Sequence, residues 1–92
     1  MNLRYKRRAL QHLHAIHSYI AKDNPAAAMR VIERIEQSVA GLSHFPFSGR
    51  PGVVRGTRLL SVPGLPYIVV HRVRGETVDI LAVLHAAQRR RS

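Results

Sequence analysis

The chain has 92 residues, room for a single domain over positions 1–92, and with no cysteine it excludes a disulfide scaffold or a thiolate metal site. Fifteen Lys and Arg, thirteen of them arginine, face five Asp and Glu, giving a formal net charge of +10. No apolar run approaches the roughly 20 residues of a membrane helix, and the N-terminal stretch MNLRYKRRALQHLHAI is not a signal peptide, so a cytoplasmic protein without a membrane anchor is expected.

Asn2–Lys6 alternates weakly and reads as a short first strand. From Arg7 the period becomes helical: Ala9, Leu10, Leu13, Ile16 or His17, and Ile20 mark a first helix to about Lys22. Asp23-Asn24-Pro25 then ends one helix and begins another, with Asn24 suited to the N-cap and Pro25 to the first helical position. In the second helix Ala28, Val31, Ile32, Ile35, Val39 and Leu42 form one apolar stripe, opposite Arg30, Glu33, Arg34 and Gln37. The short break makes the pair a helical hairpin.

His44–Gly56 is a Pro/Gly-rich connector in which Phe45 and Phe47 are expected to pin the chain to the core edge. Three strand-like runs follow: Thr57–Val62, Tyr67–Val73 and Glu76–His85, the last two joined by an Arg74-Gly75 loop. The order β-α-α-β-β-β predicts an α+β fold, an N-terminal strand and helical hairpin packed on one face of a mostly antiparallel sheet.

Two helices cover only one face of such a sheet. Alternation from the Arg74-Gly75 loop puts Tyr67, Val69, His71, Val73, Val78, Ile80, Ala82 and Leu84 beneath the helices. The second face then carries Ile68, Val70, Arg72, Thr77, Asp79, Leu81, Val83 and His85, with Arg72 diagonal to Asp79 and able to pair with it. Exposed apolar surface rimmed by charge marks a partner site, so Ile68, Val70, Arg72, Leu81 and Val83 are the candidate residues for binding a protein partner. The alternative is that the connector or the tail folds over this face.

Arginine's planar fork suits carboxylates and phosphates, and so high a net charge attracts polyanions, so the partner is expected to be acidic. An arginine-rich proteome would give the same composition. His12, His14 and His17 invite a metal reading, but only His14 and His17 share a helix face and no carboxylate completes a set, so solvated surface is expected and no metal or cofactor is called. Neither Ser48 nor Ser61 lies in a nucleophile motif, and SGRPG lacks the lysine of a phosphate loop. Arg4, Lys6, Arg7 and Arg8 cluster at the first strand–helix junction, either solvated or facing an acidic partner.

The run NPAAAMRVIERIEQSV, then HFPFSGRPG, RGTRLLSVPGLPYIVVHRV and VDILAVLHAAQRR, resembles the RelE/ParE toxin superfamily over nearly the whole chain, and the ParE branch most closely. The resemblance implies a toxin of a type II toxin–antitoxin pair, neutralised by a cognate acidic antitoxin that wraps it, with operator DNA reached only through that complex. ParE-like members poison DNA gyrase; RelE-like members cut mRNA on the ribosome. The RelE-like nucleases place an arginine after the tyrosine that opens the central strand, where this chain has Ile68 after Tyr67, and a late acid–base pair, where it has His85 followed by Ala86. Were it a nuclease, His85 and Arg72 would be the catalytic candidates; as a gyrase poison its target contacts are expected at Arg58, His85, Arg89, Arg90 and Arg91. The chain departs from the ParE pattern at Leu60, His71 and its QRRRS ending.

Overall fold

The computed structural model describes residues 1–87. Strand β1 (Asn2–Tyr5) leads into helix α1 (Arg7–Ala21) and then helix α2 (Pro25–Gly41). Strands β2 (Arg50–Pro51), β3 (Arg58–Ser61), β4 (Tyr67–Arg74) and β5 (Thr77–His85) follow. They form one five-stranded sheet in the order β1-β5-β4-β3-β2, in which β1 runs parallel to β5 and the other neighbours are antiparallel. This is the expected α+β order with one addition: β2 is two residues inside the connector, too short to show a period.

Each helix starts for a local reason. The Asn24 side chain accepts a hydrogen bond from the Ala27 amide at 3.0 Å, with Pro25 at the start of α2, as its sequence requires. No side chain caps α1; instead the Lys6 amide donates to the Ile80 carbonyl at 2.9 Å, so the sheet sets where this helix begins.

The core lies between the hairpin and one sheet face, where Ala9, Leu13, Ile35, Val39 and Leu42 meet Val69, Val78, Ile80 and Val83. Ile35, Val78 and Ile80 are fully buried. Leu10 was expected on the inner stripe of α1 but is 52% exposed, because the packed stripe runs through Ala9, Leu13 and Ile16. The expectation for Phe45 and Phe47 also fails: they are 71% and 64% exposed. Leu42 fills the core at that point, and polar bonds hold the connector instead.

The last hairpin differs from its predicted register in two ways. Arg74 pairs with Thr77, so the loop is Gly75-Glu76. Gly75 has φ of +57° and Glu76 is not left-handed, the pattern of a type II′ turn, which wants glycine at its first central position. This sets Arg72 directly opposite Asp79 and moves the diagonal neighbour to Arg74. The expected Arg72–Asp79 diagonal pair is therefore not formed; Asp79 has its ion pair with Arg74, at 4.0 Å.

The second difference is a bulge. His71 pairs with Ile80 and Val70 with Ala82, leaving Leu81 as an extra residue in β5. Beyond it every side chain of β5 changes face. Val83, expected on the open face, is 3% exposed in the core, and His85 shares a face with Tyr67; Ala82 and Leu84, expected beneath the helices, turn to the open side.

Candidate functional site: the open sheet face

On the face away from the helices, Leu59, Val70, Leu81, Ala82 and Leu84 form the floor of a groove of about 690 Å³. Three strands contribute to it: β3 and β4 pair Leu59 with Val70, and β4 and β5 pair Val70 with Ala82. Because the bulge puts Leu81 and Ala82 on one side together, it widens the apolar floor. The connector supplies one wall through Val53 and Val54, which are 87% and 65% exposed. Helix α1 supplies the other through Arg8 and His12.

The polar rim is held in defined states. His12 Nδ1 accepts a hydrogen bond from the Val83 amide at 3.1 Å. That amide lies beyond the last residue that β1 covers, so the imidazole stands in for a missing strand partner. Burial, and then the Arg8 charge, hold the His12 pKa below its ordinary value, in keeping with a neutral ring that accepts. Arg72 lines the same groove, and its buried Nε has no hydrogen-bond partner among the described residues. A buried guanidinium nitrogen left unpaired costs desolvation energy, while the guanidinium as a whole keeps its positive charge at the groove.

Of the candidate partner-binding residues, the fold brings Val70, Arg72 and Leu81 together in this groove. Ile68 lies on the same face but is 6% exposed and borders a smaller hollow of about 250 Å³ with Arg50, Ser61 and Tyr67. Val83 is in the core, as described. Sequence reasoning missed Leu59, Ala82, Leu84 and His12, and had Arg8 only as part of the basic cluster that was either solvated or facing an acidic partner. A bulge in a run such as Leu81-Ala82-Val83-Leu84 leaves no mark, since both assignments are equally apolar. Val53-Val54 did carry a signal: two adjacent apolar residues in a connector with no strand to bury them.

The candidate catalytic and target-contact residues are scattered. Arg72 is on the groove face, whereas His85 lies beside Tyr67 with ring centroids 5.6 Å apart and planes at 86°. The Ala87 amide donates to His85 Nδ1 at 3.0 Å. Burial, and next the Tyr19 phenol, push the Tyr67 pKa above its ordinary value, so the phenol keeps its proton at neutral pH. Asp79 is 3% exposed and paired with Arg74, so it offers no ready proton acceptor. Arg58 donates from Nη2 to the Gly49 carbonyl at 2.9 Å and thereby ties down the connector. Arg89, Arg90 and Arg91 lie outside the described residues. Among the described residues no His, Cys, Asp and Glu side chains gather as a metal-holding group, and no helix is long and apolar enough to cross a membrane.

The family model described as the ParE toxin of the type II toxin–antitoxin system parDE matches residues 3–90. The chain belongs to the ParE toxin family. It is 45% identical over 86 residues to a protein named as toxin Y4kP of Sinorhizobium fredii, covering 94% of this chain and 88% of that one. It is 35% identical over 81 residues to Toxin RelE2 of Caulobacter vibrioides, covering 88% and 90% of the two chains. A solved structure from the chromosomal ParDE toxin–antitoxin system of P. aeruginosa superposes with a TM-score of 0.83 at 30% identity, over 92% of this chain and 95% of that one. This ParE-family chain is thus the toxin component of a type II system, and a toxin of that kind has a cognate antitoxin as its partner.

Proposed function

We propose that this toxin acts by binding DNA gyrase and not by cutting RNA, and that its antitoxin occupies the groove over Val70, Arg72 and Leu81. The observation carrying the first part is the residue after Tyr67: Ile68 is an apolar side chain, 6% exposed, where a metal-free ribonuclease would need a cation against the scissile phosphate. The neighbouring groups make up for it only in part, since Arg50 borders the same hollow as Ile68 and Tyr67. Tyr67 is pushed toward its protonated form, Asp79 is paired with Arg74, and Arg72 is on the opposite face from His85. For the antitoxin, the groove offers apolar length with Arg8 and Arg72 at its rim, a match for an amphipathic segment carrying carboxylates.

The test compares purified toxin in a gyrase supercoiling assay and in a ribosome-programmed mRNA cleavage assay. Supercoiling should be inhibited and the message should stay intact. His85→Ala should keep most of the inhibition, whereas loss of a general acid or base lowers rate by about 10²–10⁴-fold. Cleaved mRNA from the parent, abolished in His85→Ala, would replace gyrase with the ribosome as target.

A further inference from the structure

The segment between α2 and β2 is held firmly, yet it turns its largest side chains outward. Phe45 and Phe47 are 71% and 64% exposed. Burying a phenylalanine side chain is strongly favourable, so turning either ring inward would be the simplest way to anchor this loop. Polar bonds anchor it instead. The Phe45 amide donates to the Gly41 carbonyl at 3.0 Å, and Ser48 Oγ to the Phe45 carbonyl at 2.8 Å. Fully buried His71 lies 3.1 Å from the Ser48 carbonyl through Nε2, and Arg58 reaches the Gly49 carbonyl at 2.9 Å. A carbonyl only accepts, so His71 carries its proton on Nε2 and leaves Nδ1 bare, without a partner among the described residues. Two core-side residues thus accept buried unpaired nitrogens, His71 Nδ1 and Arg58 Nε, in an arrangement that fixes a loop with exposed rings.

The charge around the loop has one sign. From Gln37 to Gly75 there is no Asp or Glu, and exposed Arg50 comes after Ser48 and Gly49, at the start of β2. The same connector then rounds the sheet edge at β2 and reaches the groove wall at Val53, which is 87% exposed. We infer that Phe45, Phe47, Arg50 and Val53 form a docking edge for an acidic protein surface with apolar hollows, and that this surface belongs to the toxin's target. Phenylalanine and arginine are enriched at the cores of protein interfaces, and a loop backbone fixed beforehand lowers the entropy lost on association. Phe45 and Phe47 do not line the antitoxin groove. Competition between antitoxin and target then arises at Val53, where edge and groove meet. This step rests on the antitoxin site proposed above.

The test uses the full chain carrying Phe45→Ser and Phe47→Ser together, with each single variant alongside. Folding is checked by thermal melting, antitoxin affinity by titration, and toxicity by growth arrest at matched soluble expression. The double variant should keep its melting temperature within a few degrees and its antitoxin affinity within about threefold, while arrest falls at least tenfold. Arrest unchanged in folded variants overturns the proposal. So does loss of antitoxin binding, which would give the loop to the antitoxin, or loss of binding to a single-stranded oligonucleotide, which would make the rings a stacking platform. Growth arrest does not depend on which target is hit, so a parent that arrests growth without inhibiting gyrase defeats the gyrase reading and leaves this one standing.

Discussion

The two faces of the sheet are built from the same kinds of residue but serve different ends. Beneath the helices, Val69, Val78, Ile80 and Val83 are at most 3% exposed and meet Ile35 and Val39. On the other face Val70, Leu81 and Leu84 are only half-buried, and the wall over them is a pair of largely exposed valines. Composition does not separate the faces. What separates them is coverage: a helical hairpin seals one face and leaves a groove open on the other. Polar groups follow the same division. His71 beneath the connector is fully buried, whereas Arg72, the next residue, brings a buried and unpaired Nε to the groove.

The sharpest way to break the contrast is through the sealed face. Ile35→Ala removes buried volume that no partner restores, and should lower unfolding free energy by about 2–5 kcal/mol, measured by urea denaturation. Antitoxin affinity of the fraction that stays folded should change little. If Ile35→Ala left stability intact, the α2 stripe would be a partner surface and the two faces would have been confused.

A smaller effect sharpens the contrast at its seam, where His12 reaches from α1 to the edge of β5. His12 and His71 both have folded pKa values below the ordinary 6.5, in each case mainly through burial. The unfolded chain therefore takes up protons first as pH falls. Their contribution is fully present above pH 6.5 and drains away from there toward the folded values. Melting temperature should fall between about pH 7 and pH 5, and His12→Asn, whose side-chain oxygen can still accept from Val83, should flatten that slope. Equal slopes for the two proteins would remove His12 from this linkage.

How much of this was legible varies along the chain for physical reasons. The helical hairpin could be read because a 3.6-residue stripe and the Asn24-Pro25 start are local signals. The open face could be inferred by counting layers, since two helices cannot cover both sides. Its membership could not be read in full. The bulge at Leu81 inverts the face of each β5 residue after it, and a run that is apolar on both faces hides the inversion. The hairpin register was misread for a related reason: Arg74-Gly75 and Gly75-Glu76 both put glycine in the loop, and only the left-handed Gly75 at its first position decides between them. Phe45 and Phe47 were misread because hydrophobicity predicts burial, and nothing local says that Leu42 already fills the space.

The claim that the open face is the antitoxin site is tested most directly by Val70→Asp. Arg72, two positions along the same face of β4, can neutralise the new carboxylate in the free toxin, so the variant should fold with a near-parental melting temperature. In the complex the antitoxin's carboxylates would compete for Arg72, and the new charge would be sealed under an apolar segment without its partner, at a cost of about 3–5 kcal/mol. Titration with the cognate antitoxin should therefore show affinity reduced by at least about a hundredfold. Unchanged affinity in a demonstrably folded Val70→Asp protein would contradict the account and place the antitoxin elsewhere on the molecule.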